Sequence, residues 1–194
     1  PVVFQNKRPE TTKILEKYAK KLECPTIMLR KEQILNFNRD NKTIDFSLHT
    51  GYYKYVSLTL HTAARYQAEN ASLAVLAAEA LKDSKITPDT VKRGLWAASW
   101  PGRMEEILPG IFLDGAHNED GIEAFLDTVR EDGCVGKRLL LFGVVADKRY
   151  GKMIRMIADS CLFSQVMVTG LETDRSASID RLKETWKQCG GISC

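Results

Sequence analysis

Much of what would announce an activity is missing from this chain. No stretch matches G-x-x-x-x-G-K-[ST], so it carries no phosphate-cradling P-loop. There is no G-x-G-x-x-G, no G-x-S-x-G elbow and no H-E-x-x-H. The five cysteines, Cys24, Cys134, Cys161, Cys189 and Cys194, form no C-x-x-C pair. None of the histidines His49, His61 and His117 is spaced to complete a zinc set, so no metal site is expected. Free thiols in a reducing cytoplasm are expected instead. No apolar run approaches the roughly 20 residues of a membrane span. Pro1 to Asn6 lack a basic start and a long apolar centre, so they are not a signal peptide. An initiator Met is also lacking, and the chain is read as a cut fragment of a longer one.

Charge of one sign is lacking too. The net charge of +3 is too small to imply nucleic acid. Residues 1–108 hold 17 Lys+Arg against 12 Asp+Glu, and residues 109–194 hold 11 against 13. The mild basicity of the first part suits either an acidic substrate or an ordinary solvated surface. At 194 residues the chain has room for one large or two small domains.

What is there reads as alternating strand and helix. Pro1 to Phe4 is expected as a strand. A helix over 11–22 follows, with Ile14, Leu15, Tyr18 and Leu22 on one face. Thr26 to Leu29 is a short strand. Residues 33–61 carry β-formers and the turn signals Asp40-Asn41 and Thr50-Gly51, which predicts an antiparallel meander. Ala68 to Leu81 is apolar all round, which predicts a buried helix. Another helix starts at Pro88 with Thr87 as cap. Trp100-Pro101-Gly102-Arg103 breaks the pattern and reads as a linker. Beyond it come a strand at 111–113, a helix capped by Asn118, a buried strand over 139–145 interrupted by Gly143, a helix over 150–161, a strand over 166–169 and a helix over 178–188. Ile122, Phe125, Leu126 and Val129 mark the inward face of the first of these helices, and Ile179, Leu182 and Trp186 that of the last. Gly190-Gly191 ends the last helix, and Ile192-Ser193-Cys194 resembles a strand beginning. This order predicts a parallel, doubly wound α/β sheet.

Ligands of such sheets bind at the carboxyl ends of the strands. Asp114 stands at one such end, where it either accepts from ribose hydroxyls or caps the next turn. His117 either donates to a phosphate or stacks near a base, or is a structural hydrogen-bonding group. Arg103 offers a permanent planar cation for phosphate, or a surface ion pair. Gln67 and Asn70 either cap the buried helix or reach a ligand at its start.

Taken in order, these pieces resemble a known family. Trp100-Pro101-Gly102-Arg103-Met104-Glu105 followed by Phe112-Leu113-Asp114-Gly115-Ala116-His117-Asn118 is similar to a junction and first strand in the folylpolyglutamate synthases of the Mur ligase superfamily. Gln67-x-x-Asn70-Ala71, the Phe142–Lys148 stretch, and Thr169 with Arg175 resemble further motifs of that family. The resemblance implies a Rossmann-like parallel sheet flanked by helices, preceded by the α/β remainder of a P-loop-type ATPase domain. It assigns 1–99 to the central domain, 100–110 to a linker and 111–194 to a truncated C-terminal domain. It implies a cytoplasmic, monomeric, ATP- and Mg2+-dependent ligase joining L-glutamate to folates through an acyl phosphate. Asn70, Arg103 and Asp114 would then contact ATP. Arg103 and His117 would serve the reaction. The P-loop and the magnesium ligands of the family lie upstream of the matched region. Two other readings remain: a non-catalytic nucleotide-binding or interaction module, and a Mur-type ligase of cell-wall synthesis.

Overall fold

The computed structural model describes residues 1–40 and 42–189. The chain divides into two compact units, Pro1–Pro101 and Gly102–Cys194.

The first unit opens with β1 (Val2–Gln5), α1 (Pro9–Lys21) and β2 (Thr26–Leu29). β1 and β2 are parallel, with Val2 opposite Thr26 and Gln5 opposite Leu29. Pro9 sits in the first turn of α1, where its missing N–H costs nothing. The apolar stripe expected to face inward does not. Ile14, Tyr18 and Leu22 are exposed, whereas Thr12 and Ala19 are buried. Periodicity defines a stripe, but only the packing partner decides which stripe is covered.

The meander follows as β3 (Ile34–Arg39), β4 (Ile44–His49) and β5 (Tyr55–Leu60), antiparallel in that order. In the turn between β3 and β4, Asp40 Oδ1 accepts from the N–H groups of Lys42 and Thr43 at 2.7 and 2.6 Å. Those bonds hold the Asp40 carboxyl below the usual carboxylate range. Ile44, Phe46, Leu48, Val56, Leu58 and Leu60 alternate along β4 and β5 and point into the core. Against them lies α2 (Gln67–Ala80), which contributes Ala68, Ala71, Val75 and Leu76.

α2 is not buried all round. Those four residues form one face at i, i+3, i+7 and i+8, while Ala74 and Ala77 are exposed. Alanine is at home on an exposed helix face because its helix propensity is the highest. An Ala-rich pattern therefore overstates burial. α3 (Pro88–Trp96) begins as expected, with the Thr87 side chain accepting from the Thr90 N–H.

The second unit starts with a hairpin, β6 (Glu105–Leu108) and β7 (Ile111–Leu113), which turns through Gly110 at φ +77°. β6 falls inside the stretch read as linker, and its pairing with β7 is antiparallel. α4 (Glu119–Arg130), β8 (Leu139–Phe142), α5 (Tyr150–Ser160), β9 (Gln165–Val168) and α6 (Ile179–Gln188) follow. β8 and β9 are parallel. Ile122, Leu126 and Val129 of α4, Met153, Ile154 and Ile157 of α5, and Leu182 and Trp186 of α6 are buried. Trp186 meets Phe142 edge-on at 6.0 Å between ring centroids.

The strand expected to be wholly buried is covered on one side only. Phe142 is 7% exposed, whereas Leu139 and Leu141 are 59% and 63% exposed. Ile179, expected inward, is also 41% exposed. Gly190-Gly191 and the strand expected at 192–194 lie outside the described residues. The fold is mixed α/β, with a parallel strand pair in each unit.

Candidate functional site

The site candidates of the second unit gather where β7 ends. Asn118 caps α4: its Oδ1 accepts from the Gly121 N–H at 2.8 Å. That cap terminates the turn carrying Asp114, Gly115, Ala116 and His117. Asp114 is half-buried, and both its carboxylate oxygens accept from backbone. Oδ1 takes the Ala116 N–H at 2.8 Å, and Oδ2 takes the Met104 N–H at 3.0 Å. The capping role is therefore real, and it reaches back to the start of the unit. A carboxylate offers about four acceptor positions in all.

Arg103 lies beside this turn. The Gly115 N–H donates to the Gly102 carbonyl at 2.7 Å. The Gly102 N–H donates to Glu105 Oε2, also at 2.7 Å. Gly102 and Met104, on either side of Arg103, both have positive φ, +66° and +49°. The backbone thus folds sharply around Arg103, which brings its guanidinium to Gly115.

His117 is exposed, and its Nδ1 sits 2.9 Å from the Gly115 carbonyl. A carbonyl only accepts, so Nδ1 carries a proton.

Asn70 belongs to the first unit. Gln67 and Asn70 were expected just outside α2, capping it. They lie within its first turns, and no side chain caps the helix start. Instead the Asn70 amide donates to Gln67 Oε1 at 2.8 Å. Gln67 is buried and Asn70 is exposed. The buried Gln therefore fixes the rotamer of the exposed Asn.

Two of the motifs named above, Phe142–Lys148 and Thr169 with Arg175, are joined by a charged pair beyond the ends of β8 and β9. Arg175 grips Asp147 with two bonds, at 2.9 and 3.0 Å. The Ala146 N–H donates to the Arg175 carbonyl at 2.7 Å, and the Ala177 N–H donates to the Val144 carbonyl at 2.9 Å. Desolvation works to raise the Asp147 pKa. The Arg175 hydrogen bonds and the charges of Arg175 and Lys148 outweigh it and leave the carboxyl below its ordinary value. Arg149 reaches Glu119 at 3.1 Å and ties the loop after β8 to the start of α4. Gly143 lets the two loops approach, because a Cβ there would meet Leu171 Cδ2 at 3.0 Å and Thr169 Cγ2 at 3.1 Å. The available signal was the clustering of charges just after two strands.

Among the described residues, no group of three or more His, Cys, Asp or Glu could hold a metal ion. No helix among them is long and apolar enough to cross a membrane.

Residues 102–193 match the Mur ligase glutamate ligase domain. The dihydrofolate synthase/folylpolyglutamate synthase of Bacillus subtilis is 29% identical over 164 residues, 81% of this chain and 38% of that protein. The folylpolyglutamate synthase of Lacticaseibacillus casei is 26% identical over 210 residues, 97% of this chain and 47% of that protein. The structure of Mycobacterium tuberculosis folylpolyglutamate synthase with ADP and AMPPCP superposes with a TM-score of 0.87. It is 21% identical, and the match covers 96% of this chain and 42% of that one. The chain thus spans less than half the length of these relatives. Residues 102–193 are thus similar to the glutamate ligase domain of the Mur ligases, and the two relatives named above are folylpolyglutamate synthases.

Proposed function

We propose that the protein containing this chain joins L-glutamate to folates at the expense of ATP. The observation that carries the reading is the strand-end cluster of Arg103, Asp114, Gly115 and His117, set inside a glutamate ligase domain. In this reading a folate carboxylate oxygen attacks the γ-phosphorus of ATP and releases ADP. The glutamate amine then attacks the acyl carbon, phosphate leaves, and the nitrogen loses a proton to give the amide.

Each residue has a task that its chemistry suits. Arg103 supplies a fixed cation toward the transferring phosphoryl group, where negative charge must be balanced. Asp114, a strand-end carboxylate, accepts from ribose hydroxyls. His117 lines the same edge. Asn70, held by Gln67, contributes an amide toward ATP. Magnesium would help neutralise the phosphates when bound, and its ligands belong to the sequence upstream of this chain. The protein acts as a monomer in the cytoplasm on small molecules, without nucleic acid or membrane. The domains divide as 1–99, a linker over 100–110, and 111–194.

The matched relatives are synthases, which favours a ligase over a non-catalytic module. Full-length protein, assayed with tetrahydrofolate, glutamate, ATP and magnesium, should release ADP only when all are present. ADP release that ignores folate or glutamate would overturn the reading. A preference for a cell-wall precursor would move the protein to the other Mur-type ligases.

A further inference from the structure

We infer that Gly115 is a positioning residue: its bare Cα is the seat of the Arg103 guanidinium, and any side chain there unseats it. The inference rests on the phosphate role of Arg103 proposed above. A Cβ built on residue 115 would lie 2.7 Å from Arg103 Nη1 and 3.3 Å from the Gly102 carbonyl oxygen. The first distance is closer than real Cβ atoms come to any neighbour.

The need for glycine here is one of space and not of conformation. Gly115 is not among the positive-φ glycines, which are Gly102, Gly110 and Gly133, so its backbone admits an L-residue. What excludes a side chain is the guanidinium itself.

The backbone on both sides of Arg103 is held. The Gly115–Gly102 bond and the Asp114–Met104 bond fix the chain on both sides of Arg103. Met104 is 5% exposed, which pins the following residue into the unit. From that held main chain the guanidinium comes to lie over the bare Cα of Gly115.

Alanine at 115 therefore has unequal consequences. The atom it would strike is the far end of a flexible side chain, which swings away at little cost to the fold. The backbone contact with Gly102 needs a shift of only a few tenths of an ångström. The fold survives and the cation is displaced. A displacement of about 1 Å in a catalytic array can cost on the order of 100-fold in rate.

The test is steady-state kinetics of the full-length protein with Gly115→Ala, Arg103→Ala and the double variant. Gly115→Ala is expected to lower kcat by about 10- to 100-fold. The double variant is expected to match Arg103→Ala alone, because residues acting through one group are non-additive. Full turnover in Gly115→Ala overturns the inference. So does a Gly115→Ala loss that persists undiminished on the Arg103→Ala background, since a merely structural defect would not need the guanidinium. If Gly115→Ala fails to fold while the double variant folds, the seat is supported; if both fail, it is overturned, because the clash is then with backbone. If Arg103→Ala itself turns over normally, the phosphate role falls. The crystal structure of Gly115→Ala then decides the seat alone, and an unmoved guanidinium overturns it.

Discussion

Asp114 joins two segments that motif reading treats separately. As a ribose acceptor alone, it would bind ground state and transition state equally, and Asp114→Ala would raise the KM for ATP with little change in kcat. Its bond to the Met104 N–H adds a second consequence, because that bond also holds the residue next to Arg103. Asp114→Ala is therefore expected to raise the ATP KM and to lower kcat together. Loss of one hydrogen bond to a charged acceptor is worth about 1.5–3 kcal/mol, or roughly 10- to 100-fold. Initial-rate kinetics across ATP concentrations check this, and a KM change with unaltered kcat would show that the Met104 bond does not orient Arg103. At this scale the residue types of the candidate site were legible, since a strand-end acid and an Arg beside a Gly are local features. Their partners were not. Met104 precedes Asp114 by ten residues, and no local pattern announces that its N–H turns back to the carboxylate. The Gln67–Asn70 pair shows the same limit from the other side: its spacing was visible, but the helix boundary that turned capping into a side-chain pair was not.

Two helix starts follow the local chemistry closely. Thr87 and Asn118 both accept from a backbone N–H three residues on, as their side chains favour. Asn118→Ala should destabilise the second unit by about 1 kcal/mol through the lost Gly121 bond. Urea or thermal melting of the 194-residue chain would register it, and an unchanged midpoint would show that the cap contributes nothing. Asn118→Ser, which keeps an acceptor, should recover most of the loss. Faces are a different matter from starts. The stripe Ile14, Tyr18 and Leu22 satisfies the helical period and stays exposed, while the face holding Thr12 and Ala19 is covered. In β8 the run of leucines suits two covered faces, yet only one is covered. Composition limits what a face can tolerate. What covers it comes from elements elsewhere in the chain.

Residues 102–193 match the Mur ligase glutamate ligase domain, and the 194 residues contain no G-x-x-x-x-G-K-[ST] phosphate-cradling loop. Arg103 and Asp114 cannot replace that loop, because phosphate affinity in P-loop enzymes comes mainly from a nest of backbone N–H groups. The isolated chain is therefore expected to bind ATP with a Kd above about 1 mM, which isothermal calorimetry can measure. Micromolar binding would mean that these residues hold a complete nucleotide site. By itself the sequence determined the α/β class, the order of the strands and helices apart from β6, and the identity of the strand-end polar residues. Those depend on side-chain period, capping chemistry and turn residues within a few positions of one another. Only the tertiary structure decided which helix and strand faces are covered, that Asp114 binds Met104, that Arg175 grips Asp147, and that Gly115 leaves room for Arg103. Each of those joins atoms that the backbone path brings together from separate turns, and a hydrogen bond or a close contact is set by distance in space, on which local spacing has no hold.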